Sequence, residues 1–558
     1  MANLVLGPCL RYVSDTEATV WVETDAACDV EVLGRRARTL HVEGHHYALV
    51  VVDGLGPGET HPYEVALDGE VVWPEPGAGF PPSLIRTVAP ARPFTLTFGS
   101  CRAAVPSHPP YTLPPDQDPQ GREIDALGAY AQRMMGQPPE RWPDALLLLG
   151  DQVYADEPSP GTREFIAGRR DPDTPPEDSI ADFEEYTRLY AESWRDPVIR
   201  WLLSTVSTSM IFDDHDIHDD WNTSAAWVEQ MRAEPWWHEL IVGGLMSYWL
   251  YQHLGNLSPA EHAADGLLAR LQQADDGGPI LREFAAGADR ESVGTRWSYR
   301  RDLGTVRLVV IDSRCGRVLG DRRDMLDEDE WRWVGDQLTG DVDHLLVGTS
   351  LPYLLSHGTH NLEAWNEAVC AGAWGGLAAR AGERIRQAAD LEHWAAFGRS
   401  FERLALMLRS VARGQRGTAP ASIVLLSGDV HHAYLAEASF PGDQATSRVY
   451  QAVCSPLRNP LKPLVRRVHS FSMTRTAEAM NGLLARAAGW RPPPIDWRVT
   501  RGPWFNNQVA TLRMDAGAAR LQVERSAPGD TGRPRLVRIL DEELTSGRER
   551  AGSPPATA

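Results

Sequence analysis

The sequence predicts an α/β protein preceded by a small all-β sandwich. Residues 1 to about 90 run as short β-rich segments broken by turn signals: EATVWVET, DVEVLG, YALVVVDGL and GPGETHPYEVALDGEVVWP. From residue 93 the pattern changes. Short continuous apolar runs near 93–100, 145–149, 208–212, 305–311, 344–349 and 422–427 alternate with helical stretches, as strands buried on both faces of a βαβ sheet do. A length of 558 residues exceeds one ordinary core. The expected organisation is a β-sandwich over 1–90, an α/β domain over 91–528 and a charged, mobile tail over 529–558.

Between the first two units, PEPGAGFPPS has the Pro and Gly density of a domain-edge loop. The stretches SHPPYTLPPDQDPQG and RDPDTPPEDS are too rich in Pro and Asp for regular structure, and are expected to be lids or disordered loops. Trp221 to Leu254 reads as helical after Pro235, with Trp227, Trp236, Trp237 and Trp249 assigned to core packing. NNQVATLRMD and AARLQVERS form a hairpin-like pair that extends or caps the sheet. The tail, GDTGRPRLVRILDEELTSGRERAGSPPATA, mixes charge runs with small residues.

Composition removes several classes of function. A hydrophobic fraction of 42% and 19 tryptophans suit a globular protein, and no apolar stretch is long enough to span a bilayer. The net charge of -21 argues against a nucleic-acid partner, so an anionic substrate must meet positive charge locally, from metal ions or single arginines. MANLVLGPCLRYV shows no signal-peptide pattern, which predicts a cytoplasmic protein as the sequence stands, with secretion of a longer precursor as the alternative. Six cysteines, at 9, 28, 101, 315, 370 and 454, lie without CxxC spacing, suiting a reduced compartment. Lys462 is the only lysine, which removes a P-loop ending in GKS or GKT. The oligomeric state is left open.

Four apolar runs end in metal-ligating side chains. PFTLTFGSC ends at Cys101, ALLLLGDQVYAD reaches Asp151 and Tyr154, STSMIFDDHD delivers Asp213 to Asp216, and SIVLLSGDVHHAY ends in Asp429, His431 and His432. Loops leaving the carboxyl ends of parallel strands converge on one crevice. A carboxylate such as Asp151 can bridge two cations, and a tyrosinate at Tyr154 suits trivalent iron. Asp214 adds an oxygen ligand beside His215, Asp429 and His431 share one side of an extended backbone, and Cys101 supplies a thiol next to Arg102. Singly these are weak signals; His432, for instance, also suits a backbone carbonyl, and DDHD suits a solvated turn. Together, after strands of one domain, they point to a metal-dependent active site.

FGSCR, LLLGDQVYAD, FDDHDIHDDWN and LLSGDVHHAYLAE resemble the motifs of the alkaline phosphatase D (PhoD-like) family of metallophosphoesterases, over roughly residues 1–525. The resemblance implies a four-layer α/β/β/α domain behind a fibronectin- or Ig-like sandwich, and hydrolysis of phosphoesters at a site with Fe³⁺ and Ca²⁺. By the same resemblance Cys101, Asp151, Tyr154 and His431 are iron ligands, with Asp151 bridging, and Asp214 and Asp429 hold calcium. The chain departs from the wider superfamily: Cys101 stands in place of the usual DxH, and Asp213 to His215 reads DDH where GNH is common. VGTSLPYLL also lacks a histidine. These departures favour iron and calcium over two divalent ions, with Zn²⁺ or Mn²⁺ as the alternatives.

The expected activity is metal-dependent phosphoester hydrolysis by an activated water, with Asp151 in the catalytic centre and His215 as proton or hydrogen-bond donor. Arg102 or Arg314 is expected to neutralise phosphate charge, with a salt bridge to a nearby carboxylate as the equal alternative for Arg314. Two rivals stand beside this: phosphodiesterase or phospholipase D-like cleavage, and a non-catalytic calcium-stabilised binding protein.

Overall fold

The computed structural model describes all residues except 91, 292, 321, 443–444, 530–531 and 547–558. Up to Arg86 its regular elements are strands alone. One four-stranded sheet orders Leu4–Val13, Glu17–Thr24, His45–Asp53 and Leu40–Val42, and a second orders Arg35–Arg38, Asp29–Val32, Val65–Leu67 and Glu70–Trp73. Leu10, Val20, Val22 and Val50 of the first meet Val30, Val32, Val65 and Leu67 of the second in one apolar core. The outer face of the first sheet is buried too: Leu6, Cys9, Trp21 and Tyr47 pack into the apolar layer of the following domain.

That domain is built on two mixed sheets. The first orders Ser207–Ile211, Ala145–Leu149, Phe94–Gly99, Gln508–Asp515, Ala518–Ala527 and Arg535–Thr545; its first three strands are mutually parallel and the rest antiparallel. The second orders Tyr299–Leu303, Val306–Val310, His344–Gly348, Ser422–Ser427, Arg448–Val453, Ala433–Ser439 and Asp496–Trp504, parallel from Val306–Val310 to Arg448–Val453. Leu147, Leu149 and Ile211 of the first sheet share an apolar layer with Leu308, Leu346, Val424 and Leu426 of the second. The alternate residues Leu146, Leu148 and Met210 face helices on one side, and Leu345, Val347, Ile423 and Leu425 face helices on the other. Burial on both faces is why these strands read as unbroken apolar runs.

Two segments differ from expectation. The tail does not lie free from 529: Arg535–Thr545 is an edge strand paired with Ala518–Ala527. Leu540 and Leu544 are buried while Arg535, Arg538 and Glu543 are exposed, with a register shift between Arg538 and Leu540, a pattern hidden by the charge density of RLVRILDEELT. Residues 547–558 of that expected tail lie outside the described residues. Helix also begins before Pro235, at Ala225–Arg232, with the Ser224 hydroxyl accepting from the Trp227 amide as its N-cap. Trp227, Trp237 and Trp249 are core residues, and all six cysteines are free thiols. No helix among the described residues is long and apolar enough to cross a membrane.

Candidate metal centre

The carboxyl ends of Phe94–Gly99, Ala145–Leu149, Ser207–Ile211 and Ser422–Ser427 deliver the ligand-type side chains to one place. Each chain turns sharply as it leaves its strand. Cys101, Asp151, Asp429 and His431 all lie in the left-handed region, with φ of 57°, 50°, 62° and 51°. A side chain there costs on the order of 1–2 kcal/mol, and such strain persists only where surrounding contacts hold it. The glycines before the two aspartates make the approach possible. A Cβ on Gly150, at φ 102°, would lie 2.6 Å from Asp213 Cβ, and one on Gly428 would collide with Ser100 Oγ. Asp216 ties two of the loops together, its carboxylate accepting from the amides of Asp151 and Asp213 at 2.9 Å and of Gln152 at 3.1 Å.

Ligand atoms fall into groups that share members. Cys101, Asp151 and His431 form one, Asp151, Asp214 and His215 a second, and Asp213, Asp214 and Asp429 a third, with the atoms of each within 4.8 Å of one another. Asp151 joins the first two groups and Asp214 the last two. Tyr154 lies beside the first group, its phenol pushed well above its ordinary range by burial and by the charges of Asp151 and Cys101. Burial likewise raises the carboxyl of Asp151, and Asp213, Asp214 and Asp216 add to it. His431 is held neutral, its pKa lowered to about 4 chiefly by burial, which leaves an imidazole lone pair to donate.

These residues fit metal ions. Both oxygens of Asp151, Asp213 Oδ2 and the Tyr154 hydroxyl are buried without a hydrogen-bond partner among the described residues. Buried polar atoms are almost always satisfied, and an unpaired buried carboxylate is among the costliest groups a fold can hold. A cation between them removes that cost. The donor set of thiol, imidazole, phenol and carboxylates on one side, and carboxylates alone on the other, also suits two ions of different hardness.

Arg102 is buried and paired within the protein. Its guanidinium is 6% exposed and donates to Asp125 at 2.8 Å and to the Ser193 carbonyl at 3.0 Å, partners other than the phosphate expected for it. Arg314 is fully buried as well. It pairs with Asp213 through Nε, with Asp214 at 3.2 Å and with Glu392 at 2.5 Å, the salt-bridge alternative. His432 donates from Nδ1 to the Val430 carbonyl, 2.7 Å away.

Several participants carried no signal in the sequence. His215 Nδ1 lies 2.9 Å from Asp156 Oδ2, which fixes the ring. Its Nε2, 3.9 Å from the exposed Asp219, is the nitrogen left open to a reactant, and the ring sits 4.8 Å from that of Tyr154. Burial opposes a proton on His215, but Asp156 and Asp214 outweigh it and raise its pKa. Asp429 is clamped from behind: His393 Nε2 lies 2.9 Å from its Oδ2, and His393 Nδ1 lies 2.7 Å from Glu363. Partners of this kind orient a ligand, and their loss costs about 10–100-fold in metal affinity or activity. His393→Ala is therefore expected to weaken divalent-ion binding by about that factor, measured calorimetrically on stripped protein, with partial recovery in His393→Gln. Wild-type affinity in His393→Ala would mean that Asp429 needs no clamp.

A cavity of about 240 Å³ adjoins the centre through Tyr154 and is lined by Tyr111, Gln120 and Arg122 of the first Pro-rich loop and by Glu157 and Arg163.

Comparison with known proteins places the chain. A domain of unknown function, DUF7800, matches residues 1–85. No curated protein matches. A solved structure of PhoD aligns over 99% of this chain and 94% of its own, with a TM-score of 0.55 and 12% identity, a likeness of fold. A structure of cyclomaltodextrinase, covering 94% of this chain and 90% of its own at 10% identity, has a TM-score of only 0.15. The PhoD-like phosphatase family model matches residues 127–462, which include Asp151, Tyr154, the DDHD turn, Asp429 and His431, and the chain belongs to that family.

Proposed function

We propose that the chain hydrolyses phosphoesters with Fe³⁺ and Ca²⁺, or with Zn²⁺ or Mn²⁺ in their place. The observation that carries this reading is Asp151, a buried carboxylate common to two ligand groups with neither oxygen hydrogen-bonded. Cys101, Asp151, Tyr154 and His431 would hold the iron, and Asp214 and Asp429 the calcium; a carboxylate oxygen of Asp213 lies within reach of the latter set. Bound ions supply Lewis-acid polarisation of the phosphoryl group and lower the pKa of water. His215, oriented by Asp156, donates a proton from Nε2 to the leaving oxygen. Arg314 balances Asp213 and Asp214 from the protein side, so the three aspartates coexist in one crevice. The three apolar layers around the two sheets support the four-layer α/β/β/α arrangement of the resemblance.

A diester is the second reading of the substrate. The 240 Å³ cavity next to Tyr154 gives room for the second alcohol of a phosphodiester. Matched turnover of a monoester and a diester under one metal supply separates the two.

Elemental analysis of protein purified without added metal or chelator, paired with a phosphoester panel, tests the whole proposal. If Tyr154 is a phenolate on Fe³⁺, concentrated protein is coloured by charge transfer, and Tyr154→Phe removes the visible band. A colourless, fully active wild type rules out iron at Tyr154. Metal that protects against heat without hydrolysis of any ester would favour the calcium-stabilised binding protein.

A further inference from the structure

At the other end of the first sheet the same strands begin at a second, larger hollow. Thr95 and Asp144, at the amino ends of Phe94–Gly99 and Ala145–Leu149, line a groove of about 670 Å³ on the outer face of the sheet. A five-residue strand is roughly 17 Å long, so this groove is separate from the metal centre. Its walls are cationic in a chain of net charge -21. Arg133 pairs with Glu524 at 2.7 Å, and Arg520 and Arg538 share the single carboxylate of Asp541 at 2.5 and 2.8 Å. Arg86 lies 3.5 Å from Asp144. Three further lining arginines, Arg92, Arg141 and Arg513, make no ion pair among the described residues. Asp144 also feels the charges of Arg92 and Arg513, and Glu140 is the other lining carboxylate near them.

Two of these arginines face each other across the sheet, although Arg520 also has Asp541 and Glu543 beside it. Arg513 and Arg520 stand directly opposite each other in the antiparallel register of Gln508–Asp515 and Ala518–Ala527, on the same outer face. Like charges so placed destabilise a sheet. Thr511 and Gln522, opposite each other further along the same face, add hydroxyl and amide groups to the floor. Guanidinium forks match phosphate oxygens in pairs, and cations spread over three adjacent strands suit a ligand whose charge is also spread. The volume lies in the range of sites that hold a whole small molecule, beyond a single phosphate.

We propose that this groove binds a chain of linked phosphate groups, as found in inorganic tripolyphosphate or the triphosphate of a nucleotide. The assignment does not rest on the hydrolase reading, because the groove shares no residue with the metal centre.

Titration calorimetry of full-length protein stripped of metal tests it, with tripolyphosphate, ATP and orthophosphate as probes at low salt. Asp151→Asn provides a background in which the metal centre is disabled. One equivalent of tripolyphosphate is expected to bind wild type and Asp151→Asn alike, more tightly than orthophosphate and less tightly as salt rises. Arg141→Ala with Arg513→Ala is expected to weaken it by about tenfold or more, since a charge-assisted contact is lost at each. Neither arginine has an ion-pair partner to lose, and Arg513→Ala relieves its like-charge contact with Arg520, so the thermal midpoint does not fall and phosphoester hydrolysis is unchanged. Tighter binding of ATP than of tripolyphosphate identifies a nucleotide, and the reverse an inorganic chain. Equal affinity in the double variant and its parent overturns the proposal, as does binding that disappears with Asp151→Asn.

Discussion

Asp151→Asn is expected to strip the centre of its metal and lower phosphoester turnover on the order of 10³-fold or more, the several kcal/mol that metal ions contribute to such a transition state. The substitution is nearly isosteric, and the backbone around it is held independently of the side chain. Asp216 still accepts the residue 151 amide, and asparagine tolerates the left-handed φ of 50°. What changes is the charge. Asp151 belongs to two ligand groups, so one substitution weakens both ion sites, where loss of Asp429 or His431 touches one. In the metal-free state the effect on stability runs the other way. Burial, with Asp213, Asp214 and Asp216, outweighs the opposing charge of His215 and disfavours charge at Asp151, so metal-free Asp151→Asn should melt no lower than metal-free wild type. Elemental analysis, turnover and thermal melts with and without metal read the three effects. A full metal complement in the variant, or turnover within tenfold of wild type, would remove Asp151 from the bridging position.

The residues that sequence makes visible are those whose type and strand context agree. Within Ala145–Leu149, the neighbours Leu147 and Leu148 face different apolar layers, so the strand reads as one unbroken run, and whatever follows it reads as a crevice residue. Asp151, Asp214, Asp429 and His431 stand out in this way. Partners set by tertiary packing do not. Arg102 sits next to Cys101 in the chain, yet its guanidinium reaches Asp125, the N-cap of Ala126–Met135. Glu363 lies two turns into the helix His357–Cys370 and His393 follows another helix, so neither sits at the end of a strand; His393 meets Asp429, and Glu363 meets His393, only because these segments pack behind the centre. Asp216 is the same residue type as its neighbours Asp213 and Asp214, and only its amide partners reveal that it builds the turn and leaves ligation to them. The edge strand Arg535–Thr545 is hidden by its own charges, since an exposed face needs no apolar residues.

His215→Ala separates a proton donor from a ligand, and its expected signature differs from that of Asp151→Asn. His215 is in a group with Asp151 and Asp214, so geometry alone permits either role. Its hydrogen bond to Asp156 favours the donor: Asp156 fixes the ring through Nδ1 and raises its pKa, and a protonated imidazole has no lone pair for an ion. His215→Ala should then keep its metal while turnover of an alkyl phosphate falls about 10²- to 10⁴-fold, the usual contribution of a positioned acid. With nitrophenyl phosphate the deficit should shrink, because nitrophenolate departs with little need of a proton. Asp156→Asn, which leaves the imidazole in place but withdraws the charge behind it, should fall between the two and show the same dependence on leaving group. If His215→Ala instead loses metal as completely as Asp151→Asn, or is impaired equally on good and poor leaving groups, the histidine is a ligand, and the proton must come to the leaving oxygen from elsewhere in the crevice.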